Sequence, residues 1–114
     1  MSGWRLAIRH GPQVEHQAFD DLGAAIAELE RRAEEIRNEG PLEEISALRP
    51  YEPSQRVHAR LELSSGRLFR GPEAGVDVMG NGALVPYVGL IRKRELMPQG
   101  DQSPFDAVRE ALQR

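Results

Sequence analysis

The chain has 114 residues and a mass of 12.7 kDa, which is the size of one domain. Hydrophobic residues make up 39% and charged residues 29%, a balance too apolar for a disordered tail and too polar for a membrane protein. No run approaches the roughly 20 apolar residues of a membrane-spanning helix, and the first twenty residues lack a secretory signal. We therefore expect one cytoplasmic globular domain over residues 1–114.

The residue types present in the sequence exclude several kinds of catalytic and metal-binding site. The sequence has no cysteine and no threonine, which excludes disulfides, thiolate catalysis and cysteine-ligated zinc. None of the six serines lies in a Gly-x-Ser-x-Gly motif, so acyl transfer is disfavoured. Charge is uneven: basic and acidic residues number five against ten in residues 1–48, eight against four in 49–94, and two against four in 95–114. No cofactor is predicted.

The first predicted elements are a β-hairpin and a helix. Apolar residues alternate from Trp4 to Ile8, Gly11-Pro12 interrupts the pattern, and a second extended run covers residues 13–19. Apolar residues then recur at spacings of three and four, which predicts an amphipathic helix; they are Phe19, Leu22, Ile26, Leu29, Ala33 and Ile36. Asp20 or Asp21 can cap its start, and residues 38–41 supply its stop.

The second half predicts three strands and a closing helix. After a short helical turn at 42–48 and a connector at 49–54, residues 57–63 alternate as a strand, and residues 64–66 turn the chain. A strand over 74–79 leads through Gly80-Asn81-Gly82, a hairpin signal, into a strand over 83–96. Ser103-Pro104-Phe105-Asp106 opens the last helix with a capping pattern.

The order β-β-α-β-β-β-α predicts an α+β fold, one antiparallel sheet with helices on one face. Its last five elements run in the same order as those of double-stranded-RNA-binding domains, and the end of the chain resembles that family's closing helix. The resemblance implies a lysine cluster that grips phosphates at residues 101–106, but this segment has no lysine and two acids. The resemblance therefore covers element order only, and membership is not predicted.

The three histidines do not form a metal-binding motif. If Gly11-Pro12 is a two-residue turn, His10 pairs with Gln13 and His16 with Ala7, which separates the two imidazoles along the hairpin. His58 is expected on the polar face of another strand. Neither His-x-x-x-His nor His-x-x-Glu-His occurs, so the sequence predicts no metal site and favours solvent-facing histidines.

A basic cluster is the candidate surface for an anion or a nucleic acid. The candidate contacts lie on the polar face of one strand and on its neighbours: Arg56, His58, Arg60, Arg92 and Arg94. Arginines that contact phosphates supply much of nucleic-acid affinity. Aromatic side chains are scarce and the isoelectric point is about 5.6, so the favoured reading is a solvated sheet face.

Residues 84–91 show no alternation, so a regular strand would place apolar side chains on both of its faces. We expect a partner to cover the second face, with contacts from Leu84, Tyr87, Val88 and Leu90, and a symmetric homodimer is one such arrangement. A bend at Pro86 and Gly89 that closes the strand over the core is the alternative.

Three functions follow from these patterns. A small non-catalytic binding or assembly module, self-associating, is favoured because catalytic signatures are missing and an apolar strand is present. Binding of a nucleic acid or another polyanion through the basic cluster is the alternative. The second alternative is an enzyme whose pocket is assembled by tertiary contacts among His58, Arg60, Glu62 and Tyr87.

Overall fold

A computed structural model describes residues 3–39, 57–65, 73–89 and 94–113. They form one antiparallel sheet and two helices, which confirms the predicted α+β class and the element order, with one short strand added. The elements are β1 Trp4–His10, β2 Gln13–Phe19, α1 Leu22–Arg37, β3 Val57–Ser65, β4 Glu73–Met79, β5 Leu84–Val88, β6 Arg94–Glu95 and α2 Pro104–Gln113. The helical turn predicted at 42–48 and the connector at 49–54 lie outside the described residues.

The sheet has the strand order β2-β1-β3-β4-β5-β6. In the first hairpin His10 pairs with Gln13 and Ala7 with His16, as predicted. Gly11 takes a φ of 61°, the positive value that a two-residue hairpin turn favours at this position. The turn predicted at residues 64–66 begins too early, because β1 pairs with β3 as far as Ser65 and draws both serines into the ladder.

Helix α1 follows the predicted apolar stripe. Its N-cap is Asp21, whose carboxylate accepts a hydrogen bond of 2.8 Å from the backbone N–H of Ala24, and its C-cap is Asn38. The buried residues of the helix face the sheet; they are Ala25, Ile26, Leu29, Ala33 and Ile36. Most of the stability of such a helix comes from packing this stripe, since an isolated helix of 16 residues is marginal in water.

Helix α2 begins with the predicted capping box. The backbone N–H of Asp106 donates to Ser103 Oγ at 3.0 Å, and the Asp106 carboxylate accepts from the Ser103 N–H at 3.2 Å. Both helices pack on the same face of the sheet, where one core cluster joins them to the four strands β1, β3, β4 and β5; its fully buried members include Leu6, Leu29, Leu61, Leu63, Val76, Val78 and Val108. Neither described helix is long and apolar enough to cross a membrane.

The strand predicted over 83–96 is divided in two. Gly89 has a φ of 105°, a left-handed conformation that ends β5 after Val88. The chain returns as β6, which pairs with Tyr87 and Val88, and the Leu96 N–H then donates to the Pro86 carbonyl at 2.8 Å. The far edge of the sheet is therefore short.

Glu28 on α1 contacts β2, the edge strand opposite β6. Its pKa predicts that the stability of the protein depends on pH. Two hydrogen bonds of 2.8 Å from Arg31, helped by one of 3.1 Å from Gln17 in β2, lower the pKa of Glu28 from 4.5 to about 2. A carboxylate whose pKa is lowered by folding stabilises the protein above its unfolded pKa and loses this contribution as the pH falls through the folded value.

We therefore expect Glu28→Gln to be less stable than the parent at pH 7 and to lose less stability on acidification between pH 4.5 and about 2. Urea unfolding at several pH values measures both effects. Glu30→Gln, at an exposed position of the same helix, is the control. Parallel pH profiles for the parent and Glu28→Gln would contradict the assignment.

Candidate functional site

The centre of the sheet face opposite the two described helices, here called the open face, holds an ion pair. Arg60 on β3 lies opposite Asp77 on β4 and donates two hydrogen bonds to its carboxylate, of 2.7 and 3.0 Å. The guanidinium carbon also lies 5.5 Å from the centre of the Tyr87 ring. Asp77 is only 9% exposed, and its hydrogen bonds raise the pKa of Arg60. Arg60 is thus already bound to an anion within its own sheet.

The predicted anion contacts do not converge in the described residues. Arg94 is exposed on β6, three strands from Arg60, which is roughly 14 Å at ordinary strand spacing. Arg56 and Arg92 lie outside the described residues. His58 contacts His10 instead of standing apart on the polar face, so the predicted position of its side chain is corrected.

The predicted partner surface on β5 is largely buried within the protomer. Leu84 and Val88 are partly buried and pack against the core cluster under the helices. Tyr87 points to the open face and is 3% exposed, with its hydroxyl close to Gly75 of β4. Apolar side chains thus leave β5 on both sides, as the sequence indicates, but the chain itself covers much of them. Leu90 lies outside the described residues.

The four residues of the enzyme alternative are divided between two places. Arg60, Glu62 and Tyr87 share the open face, whereas His58 lies at the start of β3 against His10. Burial raises the pKa of Tyr87, and the carboxylates of Glu62 and Asp77 raise it further, so its hydroxyl stays protonated near neutral pH. Tyr87 is therefore unsuited to act as a general base.

A shallow groove separates β5 and β6 from α2. Its volume is about 170 Å³, and its lining includes Val88, Arg94, Met97 and Glu110. Pockets that enclose a drug-sized molecule usually measure about 300 to 1,000 Å³. This groove is therefore too small to hold such a ligand.

Strand β2 forms an open edge of the sheet. Gln13 to His16 and Ala18 are exposed, and the outer side of β2 pairs with no other strand among the described residues. Its ladder with β1 runs over seven residue pairs without a register shift. Glu15 is its one charged residue, and Arg32 on α1 binds that carboxylate through hydrogen bonds of 2.8 and 2.9 Å. The edge is long, regular and free of lysine and proline.

Two of the three histidines meet at one end of the sheet. His10 at the end of β1 and His58 near the start of β3 have their Nε2 atoms 3.1 Å apart. Glu39, two residues after α1, places a carboxylate oxygen 3.8 Å from His10 Nε2. These three side chains, here called the histidine cluster, are the described residues whose geometry could hold a metal ion.

No family model, curated protein or solved structure matches this chain. Candidate functions therefore come from the open face, the β2 edge and the histidine cluster.

Sequence spacing could not reveal the histidine cluster. Strict alternation places His58 with Arg60 and Glu62, on the face opposite Leu61 and the core. The register of β3 against β4 shifts between Val57 and Ala59, and such a bulge re-aims the side chain at its position. Val57, which alternation predicts to be buried, is instead 41% exposed, in keeping with the shifted register.

Proposed function

We propose that this chain is a small non-catalytic binding module that self-associates by pairing the β2 edges of two copies. The observation that carries the proposal is the contrast between the two edge strands of the sheet. The edge strand β6 has two residues, whereas the edge strand β2 has seven residues in regular extended form. Monomeric proteins usually protect such an edge with a lysine, a proline or a bulge.

The backbone of β2 can accept another strand without losing its own ladder. In an antiparallel ladder, alternate residues direct their N–H and C=O groups to opposite sides. The two-residue turn closes on the pair His10 and Gln13, so the N–H and C=O groups of Val14, His16 and Ala18 face outward. A second copy related by a twofold axis would pair these groups antiparallel and join two sheets into one.

Charge also favours a second copy. Repulsion between like charges is a common protection of edges, but the single acidic residue of β2, Glu15, is neutralised by Arg32 of its own protomer. The pKa of Glu15 is lowered by that hydrogen bond, so its carboxylate stays ionised to a lower pH than that of a free glutamate. The β5 surface offers less exposed area, which is why we place the contact on β2.

Binding of a polyanion is less well supported, because two arginines of the open face, Arg9 and Arg60, already have acidic neighbours. Arg60 is held by Asp77, and Arg9 lies 3.8 Å from Glu62. A phosphate would have to displace the Asp77 carboxylate to reach Arg60 and would compete with Glu62 for Arg9. Retention of single- or double-stranded RNA on a filter at low salt and micromolar protein would favour this alternative.

Val14→Lys is expected to dissociate the dimer. The substitution places a flexible positive charge on the pairing edge itself, on a side chain that is 46% exposed, so the fold should be little affected. Analytical ultracentrifugation should give twice the mass of 12.7 kDa for the parent at high concentration and the single mass for the variant.

Val57→Lys is the matched control, since Val57 is also an exposed valine, at 41%, but lies on β3. It should remain dimeric. Amide hydrogen exchange adds a residue-level test: the amides of Val14, His16 and Ala18 should become protected as the concentration rises. A parent that stays monomeric at millimolar concentration, or a Val14→Lys variant that stays dimeric, would refute the proposal.

A further inference from the structure

We propose that His10, His58 and Glu39 form a binding site for one divalent transition-metal ion of the zinc type. The three side chains come from three separate elements, β1, β3 and the segment after α1. Imidazole nitrogen and carboxylate oxygen are ordinary zinc ligands, and three protein ligands leave a fourth tetrahedral position for water. The function proposed above does not require this site.

The separation of the two imidazole nitrogens suits one shared ion. Two nitrogens, each about 2.05 Å from zinc and subtending an angle of about 90 to 109° at the metal, are about 2.9 to 3.4 Å apart. The observed distance between His10 Nε2 and His58 Nε2 is 3.1 Å. The rings are inclined at 66°, so their Nε2 atoms meet edge to edge without stacking of the faces.

The third ligand is within reach of the same point. All three ligand atoms lie within 4.8 Å of one another, and the Glu39 oxygen is 3.8 Å from His10 Nε2. The Glu39 side chain is 53% exposed, so a small rotation can bring its carboxylate onto an ion held by the two imidazoles. That movement needs no rearrangement of the core.

The surroundings favour a cation. The cluster lies just beyond the C-terminus of α1, where the helix carries a partial negative charge, and Glu39 adds a full one. Without an ion, the two imidazoles can share only one hydrogen, and which nitrogen donates depends on the tautomer. An ion would instead satisfy both nitrogen lone pairs at once.

An ion held here would link parts of the chain that are distant in sequence. His10 and His58 are 48 residues apart, and Glu39 follows the helix that lies between them. Binding to the folded state alone raises the free energy of unfolding. We expect a 100-fold excess of Zn²⁺ over its dissociation constant to raise Tm by roughly 5 °C or more.

The experiment uses the untagged full chain. Isothermal titration calorimetry with Zn²⁺ and Ni²⁺ should give one ion per chain, and Mg²⁺, which prefers oxygen ligands, should not bind. His10→Gln and His58→Gln should each weaken Zn²⁺ binding at least tenfold and, at the same Zn²⁺ concentration, cut the rise in Tm to about half or less. His16→Gln removes the remaining histidine, which is exposed on β2, and should bind Zn²⁺ like the parent.

Two further variants keep the test decisive. Glu39→Gln alters an exposed side chain, so it should fold even if a histidine variant does not, and it should also weaken Zn²⁺ binding. Val14→Lys should bind Zn²⁺ normally, which separates this site from self-association. No heat of binding with either metal at 1 mM, or unchanged affinity in both His10→Gln and His58→Gln, would overturn the proposal.

Discussion

Gly75→Ala is expected to lower the free energy of unfolding by about 3 kcal/mol, because the added methyl group overpacks the space between two strands. Gly75 lies in β4, between Glu62 of β3 and Tyr87 of β5. A Cβ at this position would collide with the carbonyl oxygen of Leu61 and would lie 2.7 Å from Tyr87 Oη. The first obstacle is backbone in a central strand, so relief requires movement of β3 against β4.

Urea unfolding followed by circular dichroism measures this loss. Gly3→Ala is the control, because its added methyl group would meet its nearest neighbour, the Asp20 carbonyl oxygen, at an ordinary 3.5 Å. We expect that variant to stay within about 0.5 kcal/mol of the parent. A loss below about 1 kcal/mol for Gly75→Ala would show that β3 and β4 can separate more easily than the packing indicates.

Local patterns were sufficient to predict most elements, since the interactions that form them lie close together in sequence. The stripe of α1 and the capping box at Ser103 and Asp106 depend on neighbours three or four residues away. The register of the first hairpin follows from the two-residue turn alone. The residues that determine each of these elements therefore lie within the element or next to it in the sequence.

Long-range pairing was not predictable in the same way. Nothing near Trp4 indicates that β1 will lie against β3, with Trp4 opposite Ser65, and this pairing turns a predicted loop into strand. The register shift near His58 also depends on neighbours from other strands, whereas the break at Gly89 lies where the sequence offered a bend as the alternative. The histidine cluster requires both the pairing of β1 with β3 and the shift, so a search by spacing could not find it.

The charge of the open face was also not predictable from composition. The sequence places a basic excess in residues 49–94 and so suggests a positive surface. In the sheet, Arg60 lies directly opposite Asp77, and Glu62 lies beside Arg9. Which arginines remain available to a ligand is thus decided by strand register, which composition does not contain.

Asp77→Ala is expected to cost about 2 kcal/mol of unfolding free energy, because it leaves the Arg60 guanidinium without its two hydrogen bonds. Removing one member of a fully buried ion pair costs about 3 to 5 kcal/mol. The Arg60 side chain is 28% exposed, so water can replace part of the lost interaction and the cost should be smaller. Arg9→Ala, which breaks a looser contact at 3.8 Å on an exposed arginine, should cost less than about 0.5 kcal/mol.

A double-mutant cycle separates the pair from its surroundings. In this cycle Asp77→Ala is made both in the parent and in the Arg60→Met variant. If the cost comes from the unpaired guanidinium, the loss of unfolding free energy should be about 1 to 2 kcal/mol smaller in the Arg60→Met variant than in the parent. Equal costs in both backgrounds would mean that Asp77 acts through other contacts. Because Asp77→Ala also releases Arg60 to a new anion, stronger RNA retention by this variant would show that the native carboxylate occupies a surface otherwise able to bind phosphate.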